Sequence, residues 1–182
     1  MIAKLSSLDN EWTSALRLNQ GGSTLWRIAV FFAHSGDSWF WMIGLVVAWF
    51  FSPPEWRYRE MLMAAGIVSL AFVVFGIKLL IRRRRPEGEF GAIYRKTDPH
   101  SFPSGHAARA AMLATLAVGL GPPGFAVIML IWAPLVCLAR VMTGLHYVSD
   151  VLAGILLGIL AGLLILALQP AFQVFLPLLI IP

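Results

Sequence analysis

Residues 124–168 read GFAVIMLIWAPLVCLARVMTGLHYVSDVLAGILLGILAGLLILAL. Two apolar runs flank a short polar knot, and each has the length of a membrane crossing, about 20 residues. Arg140 and Asp150 are the only Lys, Arg, Asp or Glu residues in this stretch. Ionisable groups are costly at membrane depth, so a cluster of them where two apolar runs meet marks a functional position. The stretch predicts two spanning helices whose adjoining ends carry Arg140, His146 and Asp150.

The rest of the chain fits the same reading. Of its 182 residues, 59% are hydrophobic and 13% charged, and the mean hydropathy is +0.79. Soluble domains average about 45–50% apolar and about 25% charged. The composition predicts an all-α polytopic bundle in the cell membrane, one membrane-embedded domain over 1–182 with its motifs in 78–150. Five spans are expected, at roughly 38–52, 60–81, 104–120, 124–143 and 147–168. Pro53-Pro54 and Gly121-Pro122-Pro123-Gly124 supply breaks. Leu5, Leu8, Trp12, Ala15 and Leu16 fall near one face of a helix within 5–20, which would lie in the interface or cap the bundle. Trp39, Trp41, Trp49 and Trp56 bracket the first span like an aromatic belt. The tail after Pro170 is too short to span. Gly154, Gly158 and Gly162 recur every four residues, a close-packing face for another helix within the bundle or in a homodimer. Met1 to Gln20 contains no apolar core of a secretory signal. The lone Cys137 excludes an intrachain disulfide.

The formal charge is +5, yet no basic face with interleaved aromatics accompanies it, which speaks against nucleic acid. Membrane lipids or a phosphorylated substrate suit the excess better. The cations gather in two further clusters: Lys78 with Arg82 to Arg85 and Pro86, and Pro103-Ser104-Gly105-His106 with nearby Arg95, Lys96 and Arg109. Counting spans puts both on the same membrane face as Arg140, His146 and Asp150. Lys and Arg counts do not fix which side that face meets, because cations of the site itself enter the count.

His146 and Asp150 are four residues apart and share a helix face. A carboxylate there can accept the Nδ1 proton, leaving Nε2 able to act as a nucleophile. Gly144 allows a tight turn before it. Ser104-Gly105-His106 open a helix, where unpaired N–H groups and the dipole favour a phosphate and Gly105 permits close approach. A metal pair of His106 and His146 is disfavoured by the surrounding cations. A serine hydrolase is disfavoured by the lack of a Gly-x-Ser-x-Gly elbow. Arg82, Arg83 and Arg84 read as headgroup contacts, as do Arg95, Lys96 and Arg109. His100 reads as structural, and His34 and Asp37 reach the entrance by parity.

Three motifs together resemble the type 2 phosphatidic acid phosphatase superfamily, the lipid phosphate phosphatases. Lys, six residues, Arg-Pro is met by Lys78, Arg85 and Pro86. Pro-Ser-Gly-His is met at 103–106, and Arg, five residues, His, three residues, Asp by Arg140, His146 and Asp150. Ala139 stands where that family usually has a supporting serine. The resemblance implies a core of six helices and a reaction without cofactor or metal. In it His146 becomes a phosphohistidine oriented by Asp150, and His106 protonates the leaving oxygen. Lys78, Arg85, Ser104, Gly105 and Arg140 would hold the phosphate of a lipid phosphomonoester or diphosphate. Transfer to a second lipid instead of water, or binding without chemistry, are the alternatives.

Overall fold

The computed structural model describes residues 2–87 and 96–175. They form α1 (Ile2–Leu16), α2 (Thr24–Ser35), α3 (Ser38–Phe51), α4 (Pro54–Ile81), α5 (Gly105–Leu120), α6 (Pro123–Met142) and α7 (Val148–Phe175). The predicted all-α membrane bundle is what forms. Arg95 and the tail beyond Phe175 lie outside the described residues.

Two boundaries differ from expectation for local reasons. Pro54 occupies the first turn of α4, where its missing N–H costs nothing, so the helix starts at the proline pair instead of residue 60. α7 runs through Pro170 to Phe175. The Tyr58 hydroxyl donates to Gln169 O at 3.1 Å and ties the segment before that proline to α4.

Length and composition alone qualify fewer helices than the five spans expected. α4, α6 and Val148–Ala171 of α7 are long and apolar enough to cross a membrane, and α2 with α3, bent by 61°, would make a fourth. α5 has only 16 residues, about 24 Å at 1.5 Å per residue. It is the hub of the bundle: it packs against α4, α6 and α7. Ala107, Ala108, Ala110, Ala111, Ala114 and Ala117 are all buried along it. A helix apolar on every side belongs inside a bundle, and alanines let the neighbours come close.

α7 comes closest. A Cβ on Gly154 would lie 2.5 Å from Ser104 O, on Gly158 2.0 Å from Ala108 O, and on Gly162 2.7 Å from Thr115 Cβ. The glycine face is therefore taken by α5 of the same chain, the within-bundle alternative.

α1 packs its polar side on the bundle and leaves its apolar residues outward, as the interfacial expectation has it. Its polar Asp9 and Thr13 are buried, while Trp12 and Leu16 are exposed. The cause is the start of α7, whose first N–H groups have no partner within the helix. Thr13 Oγ1 accepts from Val148 N at 3.1 Å, and Asp9 Oδ1 accepts from Ser149 N at 3.0 Å. Two side chains of α1 thus cap α7 from outside, and the apolar residues are left facing outward, as an interfacial helix requires.

The glycine contacts give a stability test. Gly158→Ala forces α5 and α7 apart and should cost about 1–3 kcal/mol, read as a melting temperature several degrees lower in detergent. Gly76→Ala meets nothing within 4 Å and should leave the melting temperature unchanged or raised.

Candidate active site

The ends of four helices converge at one edge of the bundle. Lys78, Arg85, Gly105, His106, Arg140 and His146 line a single cavity of about 190 Å³, together with Asp98 and Arg109. Residues from all three sequence clusters thus meet, as span counting predicts. Below the cations the wall becomes apolar: Ile67, Leu70, Ala71, Val74 and Phe75 of α4 descend from Lys78.

Each piece is held by a local device. Gly144 has φ +70°, a left-handed conformation glycine adopts without strain. That turn lets Leu145 N and His146 N both donate to Arg140 O at 3.2 Å, carrying His146 back beneath the end of α6. Arg84 and His100 form an antiparallel bridge, and Ser101 N donates to Arg83 O at 2.8 Å. The loop bearing Arg85 is thereby tied to Pro103-Ser104-Gly105-His106. Ser104 is fully buried. Its hydroxyl accepts from Ala107 N at 3.4 Å, and its N–H donates to Asp150 O at 3.0 Å. It caps α5, while Gly105 is the residue of this pair that lines the cavity.

The state of His146 follows from its neighbours. Arg85 Nη1 lies 3.1 Å from Nε2. A guanidinium only donates, so Nε2 is the acceptor and the proton sits on Nδ1. Nδ1 is 3.6 Å from Asp150 Oδ2, slightly long for a hydrogen bond. Burial first, and then Arg140, Arg85 and Lys78, hold the imidazole well below its ordinary 6.5. It is neutral, with its Nε2 lone pair directed at Arg85.

Asp150 is fixed from the other side. Oδ2 accepts from Tyr147 N at 3.0 Å, and Oδ1 accepts from Arg83 at 2.8 Å. Arg83 also donates to Ser149 Oγ at 2.6 Å and to Asp9 at 2.6 Å, and lies 4.0 Å from the Tyr147 ring centre. Arg83 is therefore a clamp behind the site and not the headgroup contact expected from the arginine run.

Further residues were not legible from the motifs. Asp98 accepts from Lys78 Nζ, and from Arg85 Nη2 at 2.8 Å. Its carboxylate stands on two of the cations that would hold a phosphate. Arg109 is buried and donates to Gly36 O, so it too is no headgroup contact. Trp41, expected in the aromatic belt, packs against Trp132 at 4.8 Å and donates to Ser35 O at 3.0 Å. Arg109 and Trp41 pin the turn between α2 and α3. Asp37 in that turn lies 2.6 Å from His106 Nε2. No spacing relates Asp37, Asp98 or Asp9 to the motifs. Only membrane parity pointed to one of them, Asp37.

The PAP2 superfamily model matches residues 56–173. The decaprenylphosphoryl-5-phosphoribose phosphatase of Mycobacterium tuberculosis is 38% identical over 107 residues, which cover 56% of this chain and 57% of that protein. The chain thus spans little more than half the length of that curated relative. The crystal structure of a PAP2 type phosphatidylglycerolphosphate phosphatase from Bacillus subtilis superposes with a TM-score of 0.75 at 26% identity, covering 94% of this chain and 89% of that one. Aquifex aeolicus LpxE superposes with a TM-score of 0.71 at 23% identity, covering 88% and 95%; at that identity it speaks for the fold alone.

The depressed affinity of His146 for protons sets a pH dependence. Above about 6.5, the ordinary value, folded and unfolded chains both carry it neutral. As pH falls below that, the unfolded chain takes up a proton that the folded chain refuses, so stability is lost. Melting temperatures between pH 7.5 and 5 should fall more steeply for the wild type than for His146→Asn.

Proposed function

The chain belongs to the PAP2 superfamily, and from that membership we propose that it is an integral membrane phosphatase that removes phosphate from a lipid phosphomonoester through a phosphohistidine on His146. The observation that carries the reading is the position of His146 Nε2: it faces three cations at the head of an apolar wall. Anion receptor, nucleophile and hydrocarbon surface are continuous. A lipid phosphate presents the same three parts in the same order.

The substrate phosphate first replaces the Asp98 carboxylate on Lys78 and Arg85. Its oxygens are then held by Lys78, Arg85 and Arg140, with the N–H groups that open α5 at Gly105. Ser104 contributes by capping that helix end. Taking up the Arg85 donors releases the lone pair of His146 Nε2. Nε2 attacks phosphorus, the bond to the lipid oxygen breaks, and His106 passes a proton to that oxygen. The imidazole of His146 is now cationic and faces Asp150. Water then attacks phosphorus, His106 takes its proton, and the nitrogen–phosphorus bond breaks to release inorganic phosphate. Phosphoryl transfer needs mainly positioning and charge stabilisation. Three fixed cations supply both, so the proposed reaction needs no metal. Among the described residues no group of three His, Cys, Asp or Glu side chains is placed to hold one.

The substrate lies in the cell membrane with its tail along the α4 wall. The Mycobacterium tuberculosis relative is a decaprenylphosphoryl-5-phosphoribose phosphatase. That name favours a polyprenyl-linked phosphomonoester as the first substrate to assay, with phosphatidic acid and phosphatidylglycerol phosphate beside it.

His146→Ala should lower phosphate release from such lipids by on the order of a thousandfold or more. An alkali-stable, acid-labile phosphoryl group should be trapped on the wild type and be absent from the variant. Activity should survive excess EDTA; its loss would contradict the metal-free reaction. Asp98→Asn removes the competing carboxylate and should lower the inhibition constant for vanadate, a phosphate mimic, several-fold.

A further inference from the structure

Asp37 precedes the residues that the family model matches, 56–173, and yet it makes one of the shortest polar contacts in the site. Its Oδ1 lies 2.6 Å from His106 Nε2. By position it is the N-cap of α3, where an aspartate ordinarily accepts from the helix's own N–H groups. Here its side chain makes no capping hydrogen bond. The carboxylate is turned away from its own helix and towards His106.

The surrounding structure is built to keep it there. α2 and α3 meet at 61°, which drives the turn at Gly36 and Asp37 into the bundle. Arg109 donates to Gly36 O, Arg140 Nη1 to Ala33 O at 3.2 Å, and Trp132 to Ser35 Oγ at 3.0 Å. A Cβ on Gly36 would lie 2.9 Å from Val136 and 3.4 Å from the His106 ring, so the turn seats against His106 only because residue 36 has no side chain. Asp37 Oδ2 is meanwhile 3.3 Å from His34 Nδ1, and the His34 side chain is 45% exposed. The carboxylate thus joins a half-buried imidazole to one that reaches the surface.

We propose that Asp37 is a positioning residue that fixes the His106 ring and favours its proton-bearing form when a proton is delivered to the leaving oxygen. The inference rests on the phosphatase reading above. Asp37 accepts from Nε2–H, so the proton passes through the opposite ring nitrogen. When the bond from phosphorus to the lipid oxygen breaks, that oxygen takes the proton, and His106 becomes neutral with Nε2–H still on Asp37. The attacking water later returns a proton to the same nitrogen. Burial first, and then Arg140 and Arg109, disfavour the charged form of His106, and the Asp37 carboxylate counters them only in part.

The test is the dependence on leaving group. For wild type and Asp37→Asn, kcat/KM is measured on an alkyl lipid phosphate, whose alkoxide must be protonated to leave, and on p-nitrophenyl phosphate, whose phenolate leaves unaided. General-acid assistance contributes about 10²–10⁴-fold. Asp37→Asn should lose on the order of a hundredfold on the alkyl substrate and less than about fivefold on the aryl one. Retained aryl turnover also shows that the variant is folded. In a His106→Gln background the same change should add little, because groups that act as a unit are non-additive. Equal losses on both substrates, or none on either, would overturn the role of Asp37 and leave the phosphatase reading standing. A wild-type protein that turns over neither substrate would overturn both.

Discussion

Burying several cations around one imidazole at the edge of an apolar bundle is the constraint from which the rest of this structure follows. A charge removed from water without a partner costs several kcal/mol, and Lys78, Arg85 and Arg140 are all at least nine-tenths buried. Each is therefore given oxygen. Lys78 has Asp98. Arg85 has Asp98, its carbonyl at 2.7 Å, and Leu145 O at 2.9 Å. Arg140 has Ala33 O. These oxygens come from helix ends and turns, where carbonyls are not consumed by a helical ladder. Four helices must therefore end at one level, and the short hub helix α5 must begin there.

How much of this could be read from residues alone depends on what each residue touches. The helices were legible because apolar runs and proline breaks are local. Lys78, Arg85, His106, Arg140 and His146 were legible because their types and spacing match a phosphate receptor, and the structure gathers them around one cavity. The outward-facing residues of α1 were legible, but its buried side was not, because Asp9 and Thr13 answer a need of α7 far along the chain. Arg83 failed for the opposite reason. It sits in a run of four arginines, and composition alone cannot distinguish a clamp from its solvated neighbours. The central place of α5 was not legible, because an apolar run does not tell a lipid-facing helix from one whose buried alanines show it wrapped by protein.

The site is thus built in two layers of different origin. Motif residues from 78 to 150 line the cavity. Carboxylates behind or beside them come from segments with no motif: Asp9 from α1, Asp37 from the turn before α3, and Asp98 from the loop before α5. Asp9 and Asp37 belong to helices that contribute little else to the site. α1 and the α2–α3 turn are placed by backbone and side-chain hydrogen bonds to that inner layer. A short bundle core with an added outer layer explains why the sequence signal is confined to the middle of the chain while the geometry is not.

The two histidines sit at different distances from their carboxylates, 3.6 Å for His146 and Asp150 against 2.6 Å for His106 and Asp37. In the proposed reaction this difference has a physical sense. His146 must be neutral at the start and cationic only once phosphorus is bound. A carboxylate held tightly against it from the outset would favour protonation and spoil the nucleophile. Asp150 is accordingly restrained by Arg83 and Tyr147 N, and its attraction grows when the charge on His146 appears. His106 has the reverse task, since it must carry its proton before the bond to the leaving oxygen breaks. A close, committed carboxylate serves that need, and here it must work against Arg140 and Arg109. The order in which charge develops during the reaction is matched by which carboxylate is near and which is kept at a distance.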